Sequence, residues 1–504
     1  MGTMVGALLV AGALLGPVEP VGRMQLWLVA VGFLVVAGLA RVFPREWPYL
    51  TATLLIWYGA RTVFTILVFL TSYYSWPVFP EMQERGGLWN FVWDPLYYDQ
   101  IGNQISQAIA GSSEWPQIGA ERTYFAYVGL LYWLLGPNPL NVVLVNSFWA
   151  LPGGCAAYFI ARRVGCNPKG AFLAAGAAGL WPSALVWSSQ MLKDTVVGSL
   201  VLVVVLGFQA GLHDDWKRSW IRSWIVPLVL AVVTIAAFRS YVALFLLASC
   251  MALVLLRGLT SRFDLRAVAG AVATLSVLLV MTIWVGQLKL DEVTARWLRG
   301  TPSGQTGAVA GPHGSRSDGG ESAGESEPAP GQPDPTDSST VQDMLVHAQQ
   351  ELRRTQPEYV GIVRDGFGTA DAGSMVDEST EIRTLLDFVA YYPRALAIAL
   401  LAPFPPDWFK IGYVSGVMRQ LASIEMVLLY AVLGLLVLEI WKHDVLKLPV
   451  FGFVVVWVVL GTGYLAAAIP NVGTVFRLRL QFILPLIIVT LSSAAARRFP
   501  RSEA

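Results

Sequence analysis

The sequence predicts an all-α protein that crosses a membrane many times. The chain has 504 residues, 55% of them hydrophobic, its mean hydropathy is +0.56, and apolar runs recur along its whole length. A soluble protein of this size carries far more than the 14% of charged residues found here. Most runs reach about 18 residues, enough to cross a bilayer core of roughly 30 Å. We therefore expect a polytopic membrane protein with about 12 transmembrane helices.

The apolar runs place these helices in order along the chain. The predicted spans are 3–18, 24–41, 48–71, 140–162, 170–187, 195–212, 225–238, 240–257, 266–288, 422–441, 447–468 and 478–495. Segment 225–257 is divided at Arg239, because one helix of that length would be about 50 Å long and would bury an arginine near the bilayer centre. Segment 123–136 is also apolar, but its Tyr and Trp residues favour a helix in the membrane interface.

Basic residues predict the orientation of the bundle. Lys and Arg concentrate in the cytoplasmic loops of membrane proteins. One assignment places six basic clusters on that side: Arg41 with Arg45; Arg162, Arg163 and Lys169; Lys217, Arg218 and Arg222; Arg257, Arg262 and Arg266; Lys442 with Lys447; and Arg497, Arg498 and Arg501. Both termini are then cytoplasmic. The first 18 residues lack a basic n-region, which favours a first membrane helix over a cleaved signal peptide.

This topology divides the chain into three parts. The parts are an N-terminal transmembrane module (1–290) whose first outer loop is 72–139, a second extracytoplasmic loop (291–421), and the C-terminal transmembrane helices (422–504). Tract 301–340 is rich in Gly, Pro and Ser and has no aromatic residue, so we expect it to be disordered. Beyond it, 341–354 has the pattern of an amphipathic helix and 385–402 that of an interfacial helix.

Composition disfavours several function classes. The net charge is +1 and no basic stripe is present, so we expect no nucleic-acid partner. Cys155, Cys166 and Cys250 have no CxxC spacing, so no redox motif or disulfide framework is expected. The four histidines are scattered, which disfavours a zinc site. The chain also has no Walker loop, which disfavours a soluble nucleotide donor.

The first outer loop supplies two acidic candidates. Asp94 stands before Pro95 at the head of a helical run, where an aspartate is either an ordinary N-cap or a catalytic base or metal ligand. Asp99 lies five residues further on and shares a helix face with Asn103, so it is the second catalytic candidate. No cofactor is certain from the sequence. If a divalent metal binds, Asp94 is the candidate ligand.

Charged residues in later segments extend the predicted site. Lys193 and Asp194 open a span and are either snorkelling and capping groups or substrate-binding groups. Arg239, at the predicted outer boundary, is either a lipid headgroup contact or a functional cation. Arg477 and Arg479 break the positive-inside pattern at the outer end of the last span. Their i, i+2 spacing turns them in different directions, so only one is expected to face the site.

One more acid completes the set, and the set as a whole suggests a chemistry. Glu425 lies one turn into its span, where it can pair with an arginine. Arginine binds phosphate bidentately and keeps its charge, while a carboxylate orients or deprotonates a nucleophile. An acid and several cations at one membrane boundary therefore suit a reaction in which a lipid phosphate is the leaving group.

The motif WDPLYYDQIGNQI (93–105) resembles the acidic loop of GT-C class membrane glycosyltransferases, which take sugars from polyprenyl-phosphate or polyprenyl-pyrophosphate carriers. Its DP-aromatic start is also similar to the oligosaccharyltransferase catalytic subunit. The stretch 127–195 is similar to the same class in its order of features: an interfacial helix ending LxG, a span ending AR and a span ending PS. The later YYPRALAIALLAPFPPDW (391–408) looks like bacterial GT-C-like proteins.

The resemblance covers about 85–290 well and the C-terminal half loosely. It implies that Asp94 is the catalytic or acceptor-activating acid, that Tyr97 lies among the substrate-binding residues, and that Arg239 and Arg477 contact the carrier phosphate. The expected location is a bacterial inner or plasma membrane, with membrane lipids and a polyprenyl-phosphate-linked sugar as partners. Many relatives have adjacent acidic residues in this loop, whereas Asp99 is five residues from Asp94, which leaves their division of labour open.

Three other functions stay open at this point. A polysaccharide polymerase or ligase would use a pyrophosphate-linked donor. A lipid flippase or secondary transporter would place its charges near the bilayer midplane, on broken helices of paired repeats. A non-catalytic assembly subunit would not need an acid and arginines gathered at one boundary. The sequence favours the transferase, and it does not specify the sugar or the acceptor.

Overall fold

The structure, a computed structural model, describes residues 21–44, 46–90, 94–116, 122–213, 218–260, 364, 374–377, 379–409, 413–442 and 445–501. These residues form helices and isolated bridges, and no strand is present among them. The α-helices are α1 (Arg23–Val42), α2 (Trp47–Leu54), α3 (Arg61–Tyr73), α4 (Asp94–Ile109), α5 (Arg122–Leu135), α6 (Pro139–Phe148), α7 (Ala150–Val164), α8 (Pro168–Gly179), α9 (Pro182–Ser188), α10 (Asp194–His213), α11 (Arg218–Phe238), α12 (Ser240–Thr260), α13 (Leu385–Leu401), α14 (Tyr413–Trp441), α15 (Pro449–Ala468), α16 (Val472–Leu478) and α17 (Leu480–Arg498).

The helical, membrane-embedded class of the protein agrees with the sequence, but the number of spans is smaller than predicted. Six described helices are long and apolar enough to cross a membrane, and the bent pair α8–α9 makes a possible seventh. The predicted spans near 24–41, 225–238 and 240–257 are helical, yet their described apolar parts are only 10–17 residues long. The count of 12 is therefore not confirmed.

Several predicted segments lie outside the described residues. They are the spans 3–18 and 266–288, the tract 301–340 and the helix 341–354. Segments 123–136 and 385–402 are helical, as α5 and α13, and their position in the membrane interface stays a prediction.

Short polar residues and prolines set the ends of the helices. The side chains of Asn138, Asn167 and Asn471 accept hydrogen bonds from backbone amides in the first turns of α6, α8 and α16, which satisfies donors that have no partner inside the helix. Thr384 and Asp387 form a capping box at the start of α13. At a C-terminal helix end, α7 stops at Gly165, whose φ of +116° favours glycine.

Three of the long apolar segments are interrupted. A π-helical segment, Leu55–Ala60, separates α2 from α3. The chain bends by 55° between α8 and α9, where Pro182 cannot continue the preceding helix. The chain also breaks at Arg239, between α11 and α12, which confirms the predicted division of segment 225–257.

The last helix, α17, lies at the centre of the bundle. It packs against α7, α8, α10, α14 and α15, and its residues from Gln481 to Thr490 are all buried. The thiol of Cys166 donates a hydrogen bond to the carbonyl of Ser492 across 326 residues of sequence. The segment after α17 also pairs with the turn after α7, through a bridge between Cys166 and Pro500.

One end of the bundle, the basic end, gathers residues from the predicted cytoplasmic loops. Arg162 forms an ion pair with Glu46 at 2.9 Å, Arg497 pairs with Glu439, and Lys169 lies over the ring of Phe499. These contacts place the ends of α7, α14 and α17 together with the start of α2 and α8. They agree with the predicted parity of the spans, and the side of the membrane that this end faces stays a prediction.

Candidate functional site

The opposite end of the bundle, the site end, carries an ion pair between the two residues on which the sequence prediction depends most. Asp94 is the first residue of α4, and its Oδ2 lies 2.7 Å from Nη1 of Arg477 in α16. The Asp94 side chain is 40% exposed and that of Arg477 is 13% exposed. An accessible carboxylate is thus held beside a guanidinium, with the first-turn amides of α4 adding to the positive field.

A second ion pair lies at the start of α10 and is buried. Nη2 of Arg239 is 3.0 Å from Oδ1 of Asp194, and the two side chains are 3% and 7% exposed. Arg239 also donates hydrogen bonds from Nη1 to Oε1 of Gln481 at 3.3 Å and to the hydroxyl of Tyr241 at 3.4 Å. Arg239 therefore lies inside the bundle, where it joins α10, the α11–α12 break and α17.

Asp99 is joined to α5 instead of to a cation. Its carboxylate accepts a hydrogen bond from the hydroxyl of Tyr132, and that hydroxyl also lies 3.5 Å from the sulfur of Met191. Burial raises the pKa of the Asp99 carboxyl, and the hydrogen bond from Tyr132 lowers it in part. The nearby Asp99 charge adds to burial in raising the pKa of Tyr132. The pair connects α4 and α5 to the segment that precedes Lys193.

Aromatic packing sets the position of α4. Tyr97 is 51% exposed, and its ring meets Phe125 edge-on with centroids 5.0 Å apart. Tyr98 is buried against Tyr124 at 4.6 Å, and Tyr124 in turn contacts Phe238 beside Arg239. These contacts fix α4 on α5 and fix both against the α11–α12 break. Tyr97 is left accessible to a substrate, as a binding role requires.

The loop before α10 is held by buried polar contacts. Nδ2 of Asn146 donates hydrogen bonds to the Leu192 carbonyl at 3.2 Å and to the hydroxyl of Tyr124 at 3.0 Å. Lys193 is buried, with 4% of its surface exposed. The sequence does not single out Asn146, Tyr132 and Gln481, because polar residues in or beside apolar helices are most often satisfied core groups and have no spacing that marks them.

Two of the predicted substrate-binding residues have contacts that favour a structural role. Arg479 is fully buried, and its Nη1 donates to the carbonyls of Ala399 and Ala402 at 3.0 and 2.7 Å, at the end of α13. Glu425 accepts hydrogen bonds from the backbone amide and hydroxyl of Ser183 at 2.7 and 3.0 Å. The two neighbouring arginines thus contact different partners, Arg477 pairing with Asp94 and Arg479 bonding the end of α13, and the role of Arg477 at the site stays a prediction.

A buried arginine that no sequence motif marks also faces this region. Arg61, the first residue of α3, is 3% exposed and lines a small cavity together with Asp194 and Gln481. The signal that could have found it is a cation in the middle of the apolar run 48–71, which is costly in a membrane and therefore informative.

The donor set at the site end does not form a ready metal site. Among the described residues, no group of three or more His, Cys, Asp or Glu side chains is close enough to hold a metal ion. Asp94 is engaged by a guanidinium, and Asp99 by a phenol. Asp94 alone could contribute a single carboxylate ligand beside substrate oxygens.

Comparisons of the chain with protein-family models, curated proteins and solved structures found no match. Function is therefore argued from the geometry of the site end. Its residues can supply an accessible carboxylate, two guanidiniums and a buried second carboxylate to a substrate that arrives from the lipid or from the predicted outer side.

Proposed function

We propose that this protein is a GT-C-like membrane glycosyltransferase that takes a sugar from a polyprenyl-phosphate carrier and passes it to an acceptor on the extracytoplasmic side. The observation that carries the proposal is the 2.7 Å pair of a 40% exposed Asp94 carboxylate with Arg477. A transferase with a phosphate leaving group needs an acid–base group and a cation at adjacent positions, and the resemblance of the WDPLYYDQ motif supplies the reaction class.

In the proposed reaction, the oxygen of an acceptor hydroxyl attacks the anomeric carbon of the donor sugar. The bond from that carbon to the phosphate oxygen breaks, and its electron pair leaves with the carrier phosphate. Asp94 accepts the proton of the acceptor hydroxyl as the new glycosidic bond forms. Arg477 stabilises the negative charge that develops on the departing phosphate, and Asp99 with Tyr132 holds α4 in place.

The decisive experiment is a transfer assay on purified protein in lipid. The protein is incubated with a panel of polyprenyl-phosphate and polyprenyl-pyrophosphate sugars, and release of the carrier phosphate is measured with the wild type and with Asp94→Asn. Release that depends on Asp94 supports the proposal, and the preferred donor separates a phosphate-linked from a pyrophosphate-linked enzyme. No release from any donor, with well-folded protein, would reject the enzyme.

A second candidate, a lipid-phosphate flippase, is favoured by a different observation. The π-helical segment Leu55–Ala60 and the 55° bend between α8 and α9 interrupt two long apolar segments, and Arg61 is a buried charge in the middle of a span. Broken helices with central charges are typical of transporters. Movement of a labelled polyprenyl phosphate across liposomes, without acceptor and without Asp94 dependence, would favour this candidate over the transferase.

A further inference from the structure

Arg61 is a cation without a described counter-ion in the interior of the bundle. It lies in the middle of the apolar span Trp47–Tyr73 and is 3% exposed. Its guanidinium stacks on the ring of Trp57 at 4.7 Å. Among the described residues, its buried Nε has no hydrogen-bond partner and no carboxylate lies within ion-pair distance. A charge in such a position is costly unless something compensates it.

The guanidinium of Arg61 lies at a narrow cavity whose other polar walls are also incompletely bonded. The polar residues that line it are Arg61, Asp194, Thr195, Ser199 and Gln481, and its volume of about 20 Å³ has room for one water molecule. Oδ2 of Asp194 and Nε2 of Gln481 are buried and have no hydrogen-bond partner in the described part of the chain. Buried polar atoms are nearly always bonded in native proteins, so three unsatisfied groups around one cavity indicate a polar occupant.

The charges around this cavity do not balance. Arg61 and Asp194 are the charged residues that line it in the described part of the chain, and Asp194 is already paired with Arg239 through Oδ1. The positive charge of Arg61 is therefore left without a carboxylate among the described residues, in surroundings from which bulk water is excluded. Water can satisfy the open hydrogen bonds, but only an anion can also neutralise the charge.

We propose that Arg61, together with Arg239 and Gln481, forms an internal anion subsite that accepts an oxygen of the phosphate on the lipid-linked carrier. A water molecule holds this position when the carrier is absent, because the cavity matches the size of one oxygen atom. The π-helical segment Leu55–Ala60 supports this assignment, since it directly precedes Arg61 and π-helical turns are frequent at functional sites. The inference rests on the proposed function for the identity of the lipid, and it adds a cation that recognises the carrier from inside the bundle.

The test measures binding of the sugar-free carrier, so that it does not depend on catalysis. Polyprenyl phosphate is titrated into the full-length protein in nanodiscs of neutral phosphatidylcholine, with wild type, Arg61→Gln, Arg61→Lys and the control Arg383→Gln. Arg383 is 76% exposed, on the chain before α13. Loss of one charge-assisted contact in a dry site raises Kd about 10- to 100-fold. We expect that increase for Arg61→Gln, a smaller one for Arg61→Lys, whose point charge lacks the bidentate fork, and none for Arg383→Gln.

A second measurement on the same variants separates ligand binding from a structural role. Without lipid phosphate, Arg61→Gln removes an uncompensated charge, so its Tm should equal or exceed that of the wild type. A lower Tm with unchanged Kd would show that Arg61 is structural and would overturn the proposal. If the Gln variant does not fold, an unchanged Kd in Arg61→Lys overturns it equally.

Inorganic phosphate, titrated in parallel, identifies the source of the anion. Arg61-dependent binding of polyprenyl phosphate alone assigns the subsite to the lipid carrier, whereas Arg61-dependent binding of inorganic phosphate assigns it to a free anion and rejects the carrier. Arg61-dependent carrier binding in a protein without transfer activity would support the subsite and reject the transferase. Failure of the subsite proposal is therefore distinguishable from failure of the proposed function.

Discussion

The two ends of the bundle use similar residues in different ways. At the basic end, both oxygens of Glu46 are bonded: Oε1 accepts from Arg162 at 2.9 Å and Oε2 accepts from the hydroxyl of Tyr158 at 2.5 Å. Glu439 is likewise bonded through both oxygens, to Arg497 and to the hydroxyl of Ser493. Both oxygens of each carboxylate are thus engaged by other side chains of the protein, and these bonds join helices that are distant in sequence.

At the site end, some atoms of the carboxylates and guanidiniums have no hydrogen-bond partner among the described residues. Oδ2 of Asp194, Nε of Arg477 and Nε2 of Gln481 are buried without a hydrogen-bond partner in the described regions. Asp94 is paired, yet it is 40% exposed. Charged groups whose atoms are all bonded within the protein stabilise the fold. Buried polar atoms without a partner are expected where the protein binds a ligand. The comparison teaches that, among the charged groups of the described residues, unsatisfied buried atoms lie at the site end, whereas near the basic end they belong to uncharged residues such as Ser492.

The largest expected effect is on the transfer rate, and it is measured by comparing a variant of Asp94 at the site end with a variant of Glu46 at the basic end. Asparagine caps a helix about as well as aspartate, so Asp94→Asn should fold while its transfer rate falls by about 10²–10⁴, because the amide cannot accept the proton. Glu46→Gln at the basic end should leave the rate per folded molecule within a few-fold. If Asp94→Asn keeps more than about a tenth of the activity in the carrier-release assay, Asp99 replaces it as the catalytic candidate.

The next effect is on the free energy of unfolding. Breaking the buried Arg239–Asp194 pair should lower it more than breaking the partly exposed Arg162–Glu46 pair. Asp194→Asn removes the carboxylate of a buried ion pair with Arg239 and should cost about 3–5 kcal/mol. Glu46→Gln removes a pair whose side chains are each 17% exposed, so it should cost about 1–3 kcal/mol. Both are measured by chemical unfolding in detergent, with Arg383→Gln as the surface control. Equal losses would remove the distinction between the two ends.

A labelling experiment determines which end faces the outside. Ser112, in the turn after α4, is exposed in the loop that the sequence predicts to lie outside, and Lys442, after α14, is exposed at the basic end. We expect Ser112→Cys to react with an impermeant thiol reagent added to intact cells and Lys442→Cys to react only after lysis. The three native cysteines are buried or half-buried, so the background should be low. The reverse pattern would invert the topology and move the site to the cytoplasm.

The smallest effect concerns the pH dependence of stability at Asp99. Burial raises the folded-state pKa of this carboxyl above its ordinary value of 3.8, so the folded protein binds more protons than the unfolded chain across that window. The contribution of Asp99 to stability is therefore complete below pH 3.8 and is lost as pH rises through the folded-state pKa. Asp99→Asn should lack this loss, which Tm profiles from acidic to neutral pH can measure. Parallel profiles for both proteins would contradict the assigned pKa direction.

The sequence predicted the features that depend on composition and local chemistry. Apolar runs located the main spans, and the cost of a central arginine located the break at Arg239. The divergence of Arg477 from Arg479 followed from helix geometry alone. These predictions succeeded because each depends on residues close together in the chain.

Features that depend on tertiary packing could not be predicted. Asp94 pairs with a residue 383 positions away, and no spacing rule connects them. The sequence predicts one span over 170–187 where the structure has the bent pair α8–α9, because a proline inside an apolar run is compatible with a continuous kinked helix. The sequence does not single out Arg61, because its run has the pattern of a continuous span and the cavity that it faces depends on tertiary packing.

The central position of α17 has a consequence for how the protein is made. The hydrogen bond from Cys166 to Ser492 joins residues that are 326 positions apart. At about 5–20 residues per second, the ribosome needs about 16 to 65 s to synthesise the chain between them. Once α10 is complete, α7, α8 and α10 await the helix that packs between them until synthesis of the chain is nearly finished, so the surfaces that bury α17 stay uncovered for most of that interval.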